Sequence, residues 1–74
     1  MTVDRLGVGE SAHIVGVDGE LSYRRRLMEM GLVPGTSIEN CGRSPLGDPT
    51  AYRVRGMILS LRSADASHIR VEPG

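Results

Sequence analysis

The chain is 74 residues long, with nine arginines, no lysine, nine carboxylates and a formal net charge of zero. That length makes one small domain and cannot wall a large substrate cavity, and a chain without lysine cannot form a Schiff base. Neutrality removes the long-range pull on nucleic-acid phosphates, two tyrosines are too few for a base-stacking platform, and no apolar run approaches the roughly 18 residues of a membrane span.

Ten glycines and four prolines cut the chain into short segments, the pattern of a small β-rich domain. Leu6 to Ser11 reads as an irregular lead-in. Ala12 to Val17 is apolar and β-branched, which predicts a strand, and Asp18-Gly19 predicts a turn. Glu20 to Met30 is the one helical stretch. Tyr23, Leu27 and Met30 share a face at i, i+4, i+7, and Arg25 and Arg26 are placed to reach Glu29. Gly31 follows as a left-handed cap, because the helix must stop before Pro34.

Thr36 to Cys41 predicts a second strand, and Arg43 to Pro49 a loop carrying two prolines. Thr50 to Arg55 alternates Tyr52 and Val54 against Arg53 and Arg55, as a half-buried strand does. Gly56 marks a turn into a strand in which Met57, Leu59 and Leu61 alternate with Ile58, Ser60 and Arg62. Ser63 to Ala66 predicts one helical turn capped by Ser63, and His68 to Glu72 a last strand. Five short strands with one inserted helix, about residues 20–30, make a mainly β fold: a small sheet curled towards a barrel, which removes exposed edges.

No catalytic set emerges. His13 and His68 read as solvent-facing strand residues and Cys41 as a half-buried thiol at a strand end. A single cysteine cannot form an internal disulfide, which fits a reducing compartment. His13, Cys41 and His68 stand far apart without paired ligand spacing, so no preformed metal site and no cofactor are expected. Residues 45–49 (PLGDP) lack the lysine and following helix of a phosphate loop; they read as a rigid loop suited to structure or recognition. Arg24, Arg25 and Arg26 fan around the helix rather than forming a stripe. Met28 lies off the inward stripe, so its side chain is expected to remain partly available.

Residues 26–36 (RLMEMGLVPGT) resemble the RLxxxGLxPGT segment of the ferrous iron transport protein A (FeoA) family. Residues 44–49 (SPLGDP) are similar to its APLGDP loop. Val54-Arg55-Gly56 with residues 59–62 (LSLR) is similar to its strand pair, and Asp65-Ala66 with residues 69–72 (IRVE) to its closing segment. The chain departs from the pattern at Asn40, where the family has an apolar residue, at Ser44 for Ala and at Asp65 for Glu. The resemblance implies an SH3-like barrel spanning residues 1–74 and a cytosolic, non-enzymatic accessory of ferrous iron uptake. It also implies a partner: the membrane ferrous-iron transporter that carries a GTP-binding domain. The same domain occurs fused to iron- or manganese-responsive repressors, and small barrels also bind nucleic acid; these are the alternatives. Arg24 and Met28 on the helix, with Leu46 and Asp48 in the loop, are the expected docking face, with Leu46 held between prolines that limit its freedom.

Overall fold

The computed structural model describes residues 1–74, and its strands follow the alternation of the chain. They are β1 (Ser11–Val17), β2 (Ser37–Arg43), β3 (Thr50–Val54), β4 (Met57–Leu61) and β5 (Ile69–Pro73). Helix α1 (Leu21–Glu29) lies between β1 and β2, and the one-turn α2 (Ser63–Ala66) between β4 and β5. All strand pairs are antiparallel, in the order β4-β3-β2-β1-β5. The two edge strands are consecutive in the chain, joined only by residues 62–68. That short connection forces the sheet to curl until its edges approach, the mainly β, SH3-like architecture expected from the sequence.

One face of β1, β2, β3 and β5 is buried along most of its length, whereas β4 buries only Leu61 fully. Ile14, Ile38, Tyr52, Val54, Ile69 and Val71 point into the core, where Leu27 of α1 and Ala66 of α2 meet them. Two bulges bend the central strands. Val15 has no partner between Ile14 and Gly16, and Cys41 none between Asn40 and Gly42. The second bulge corrects the reading of Cys41: it stands inside β2 rather than at its end, and the thiol is exposed rather than half-buried.

The lead-in is irregular from Leu6 to Glu10, as read, and Ser11 opens β1; ahead of Leu6 the chain is ordered. Val3–Arg5 forms a 3-10 turn, and Val3 and Leu6 are core residues. Asn40, fully buried, ties this segment to the sheet. Its Nδ2 donates to the Leu6 carbonyl at 2.9 Å, its Oδ1 accepts from the Gly42 N–H at 2.9 Å, and its main chain bonds Gly9 and Glu10. An amide at a nominally apolar position is therefore a clamp on a bulge and a loop. The chain start also covers one sheet edge. Thr2 bridges Arg70, and the Val71 N–H donates to the Met1 carbonyl at 2.8 Å, so β5 is flanked on both sides while β4 is flanked on one.

Candidate functional site

Helix α1 ends as its sequence predicts. The Gly31 N–H donates to Met28, the Leu32 N–H reaches back to Leu27, and Gly31 has φ 97°, which together make a Schellman cap with Leu27 and Leu32 both buried beneath it. Met28 is 40% exposed, as expected of a residue off the inward stripe. Met30, read as part of that stripe, is exposed as well, because the chain is already turning away at the cap. Arg24 lies along the surface with its Nε shielded and unpaired. The ion pairs of Arg25 and Arg26 with Glu29 do not form. Arg26 instead places its guanidinium 5.4 Å from the centre of the Tyr23 ring, a cation–π contact one turn back on the helix.

Residues 44–49 form a tight loop closed by Ser44 N–H to Pro49 O at 3.0 Å and Gly47 N–H to Ser44 O at 2.8 Å. Leu46 projects from its tip, 95% exposed. Asp48 turns back on the molecule. Its Oδ1 accepts the Ser63 N–H at 2.9 Å, and its carboxylate lies 3.9 Å from Arg62. This corrects the expected capping of α2: Ser63 is the first helical residue rather than the cap, and the loop supplies the acceptor for its amide.

No hydrogen bond or ion pair joins the helix pair Arg24 and Met28 to the loop pair Leu46 and Asp48. The C-terminal end of α1 approaches Val54 and Arg55 at one end of β3, whereas the loop enters β3 at Thr50, its other end.

A second arrangement of polar groups lies between the two helices, and its members are scattered in the sequence. Tyr23 of α1 donates its hydroxyl to Asp65 Oδ1 of α2 at 2.6 Å, and the His68 ring meets the Tyr23 ring edge-on at 5.2 Å. Burial, and then the hydrogen bond and charge of Asp65, push the Tyr23 phenol up to about 12. Gly19, Glu20 and Ala64 complete an open cleft of about 360 Å³. A Cβ on Gly19 would come within 2.9 Å of the Tyr23 ring, so the cleft floor requires glycine. Tyr23 and Asp65 are 42 residues apart, and only the short spacing of Asp65 and His68, whose N–H donates to the Asp65 carbonyl at 3.0 Å, signals that those two stand together at the end of α2. The arrangement binds the two helices together; it holds no nucleophile paired with a base.

His13 is exposed in β1, Cys41 at the β2 bulge, and His68 in the turn after α2 rather than in a strand. No group of three or more His, Cys, Asp or Glu side chains is arranged to hold a metal ion. No helix is long and apolar enough to cross a membrane.

Comparison with known proteins places these features in a family. The model of the FeoA domain matches residues 1–73. A curated relative from Porphyromonas gingivalis, an Fe(2+) transport protein A/Fe(2+) transporter FeoB fusion protein, is 42% identical over 72 residues. The match takes in 97% of this chain and 8% of that protein, so the chain spans a small part of the relative's length. The solution structure of the FeoA protein from Chlorobium tepidum superposes with a TM-score of 0.89 at 37% identity, covering 99% of this chain and 70% of that one. The zinc complex of Stenotrophomonas maltophilia FeoA, described as a prokaryotic SH3 domain protein and a candidate ferrous iron transport activating factor, gives 0.84 at 28% identity. That superposition covers 97% of this chain and 89% of the other.

Proposed function

The chain belongs to the FeoA family, and from that membership we propose that it serves ferrous iron uptake as an interaction module, docking on the cytosolic GTP-binding part of a membrane ferrous-iron transporter and regulating it. The observation that supports this reading is the fused relative, in which a segment 42% identical to this chain shares one polypeptide with FeoB. Fusion holds two domains at high effective concentration. In this reading the contact that fusion enforces there is made here by the surface of the barrel, at the inner face of the membrane. The chain performs no bond chemistry of its own.

Calorimetry of the chain with the transporter's soluble GTP-binding domain, with and without nucleotide, tests the reading. Saturable binding that changes with nucleotide is expected. Absence of binding in every nucleotide state, together with unchanged iron uptake on removal of the chain, overturns it.

Met28 and Leu46 are proposed as two contact points of that surface. Both are exposed apolar side chains on rigid supports, a capped helix and a closed loop. Met28→Asp and Leu46→Asp, made singly, are each expected to weaken stimulation of iron uptake while leaving the unfolding midpoint nearly unchanged. Because the helix end and the loop approach opposite ends of β3, loss in one variant alone assigns the contact to that end of the barrel.

A further inference from the structure

We propose that β4 is a docking edge that accepts an extended, acidic segment of a partner protein as a sixth antiparallel strand. The inference goes beyond the iron-transport reading and is independent of which protein supplies the segment.

The two sheet edges are treated differently. The outer side of β5 is occupied by Met1 and Thr2, whereas β4 pairs with β3 alone. The β3–β4 hairpin turns through two residues, Arg55 and Gly56, with Val54 opposite Met57. In such a hairpin the flanking pair exchanges both hydrogen bonds, so Met57, Leu59 and Leu61 spend their amides and carbonyls on β3. Ile58 and Ser60 fall at the intervening positions and aim theirs outward. Free edges are normally blunted by charge, proline or a bulge. Residues 57–61 (MILSL) contain none of these, and Met57 and Ile58 are 60% and 56% exposed.

Charge decides the occupant. Arg55 stands two residues before Met57, in the turn, and Arg62 immediately after β4, while Arg53 lies opposite Ile58 on the neighbouring strand. Arg55 makes no ion pair and is the one residue other than glycine with positive φ, at 53°. Its turn closes an open polar hollow of about 290 Å³ that Ser11, Ser37, Glu39, Arg53 and Gly56 line with it. Arg53 is held by Glu39 at 3.2 Å, and Arg62, 69% exposed, has only a long 3.9 Å approach to Asp48, so a strand laid on β4 meets an apolar centre between the unpaired Arg55 at one end and the loosely paired Arg62 at the other. An antiparallel second copy would bring Arg55 of each chain near Arg62 of the other, placing like charges together at both ends of the pairing. A partner segment with apolar residues at its centre and carboxylates at its ends matches instead, through the main-chain pairing of β-strand addition.

The test uses two blocked heptapeptides as probes on the full chain: Glu-Glu-Val-Ile-Val-Glu-Glu, and the same peptide with every Glu replaced by Lys. Amide shifts and hydrogen exchange are read residue by residue. The acidic peptide is expected to shift and protect Ile58 and Ser60, and to bind about tenfold more tightly than the basic one, as two exposed ion pairs allow. Arg55→Glu/Arg62→Glu should reverse that preference, since neither site is buried. Ile58→Pro should abolish binding while keeping the β3–β4 ladder, because it removes an outward amide only; the charge-reversed variant decides the matter if the proline variant unfolds. Equal binding of both peptides, shifts confined to other strands, or concentration-dependent self-association that protects the same amides and resists the acidic peptide overturns the proposal.

Discussion

Gly31, Asn40 and Tyr23 each carry a structural role through a different physical term. Gly31 has room for a side chain, since a Cβ there would sit 3.8 Å from Val54 and 3.9 Å from Arg55. Its constraint is the φ of 97°, which a β-branched residue adopts only at a cost of about 1–2 kcal/mol. Gly31→Val is expected to lower the thermal midpoint by about 4–8 °C per kcal/mol lost, with Gly31→Asn milder. Asn40→Leu supplies the apolar residue that the resembling segments carry, yet it strands the Leu6 carbonyl and the Gly42 N–H. A loss of about 1–3 kcal/mol in urea unfolding is expected, although hydrophobicity at the site rises. For Tyr23 the folded-state value of about 12 lies above the ordinary 10. The stabilisation is therefore complete below about pH 10 and lost as pH rises towards 12. Tyr52 is also raised by burial and loses stability in the same direction. Tyr23→Phe should flatten the alkaline fall of the unfolding midpoint without abolishing it, and it should cost about 1 kcal/mol at neutral pH through the lost bond to Asp65.

At the scale of elements, periodicity made most of the structure legible, and its exceptions fall where a side chain reaches across the chain. The helix was readable from one apolar stripe and its terminal glycine. Strands β3 and β5 were readable because Tyr52, Val54, Ile69 and Val71 alternate with arginines and a glutamate. Bulges were not: Val15 and Cys41 look like ordinary members of an alternating run, and only a partner strand reveals the extra residue. The start of α2 was misread for a similar reason. A serine before a helical turn predicts a local cap, but the acceptor comes from Asp48, 15 residues earlier. Asp48→Ala should therefore loosen α2 and the 44–49 loop together, at a cost of about 0.5–2 kcal/mol. Faster hydrogen exchange at the Ser63 amide, with β1 and β2 unchanged, is the measurement that checks it.

Across the whole molecule, the candidate docking residues show how far a linear reading reaches. Exposure of Met28 and Leu46 was legible, since one lies off a helical stripe and the other between prolines at a loop tip. Their separation was not, because sequence order says nothing about which end of β3 each element approaches. The cleft around Tyr23, Asp65 and His68 was invisible for the same reason, being assembled only when the sheet curls and brings α1 against α2.

The strand order sets a timetable for synthesis. Of the five strands β1 is made first, and it ends up between β2 and β5, so its second neighbour is the last of the five to be made. After β2 is complete the ribosome must add residues 44–73 before that place is filled, a delay of a few seconds at about 5–20 residues per second. During that interval one side of β1 stays bare, and the core that Ile69 and Val71 complete remains open to water. Cooperative folding of this domain is thereby deferred until β5 has been made. A nascent chain stalled anywhere before residue 69 should present β1 as an open template, prone to capture by chaperones or by a neighbouring chain on the same message.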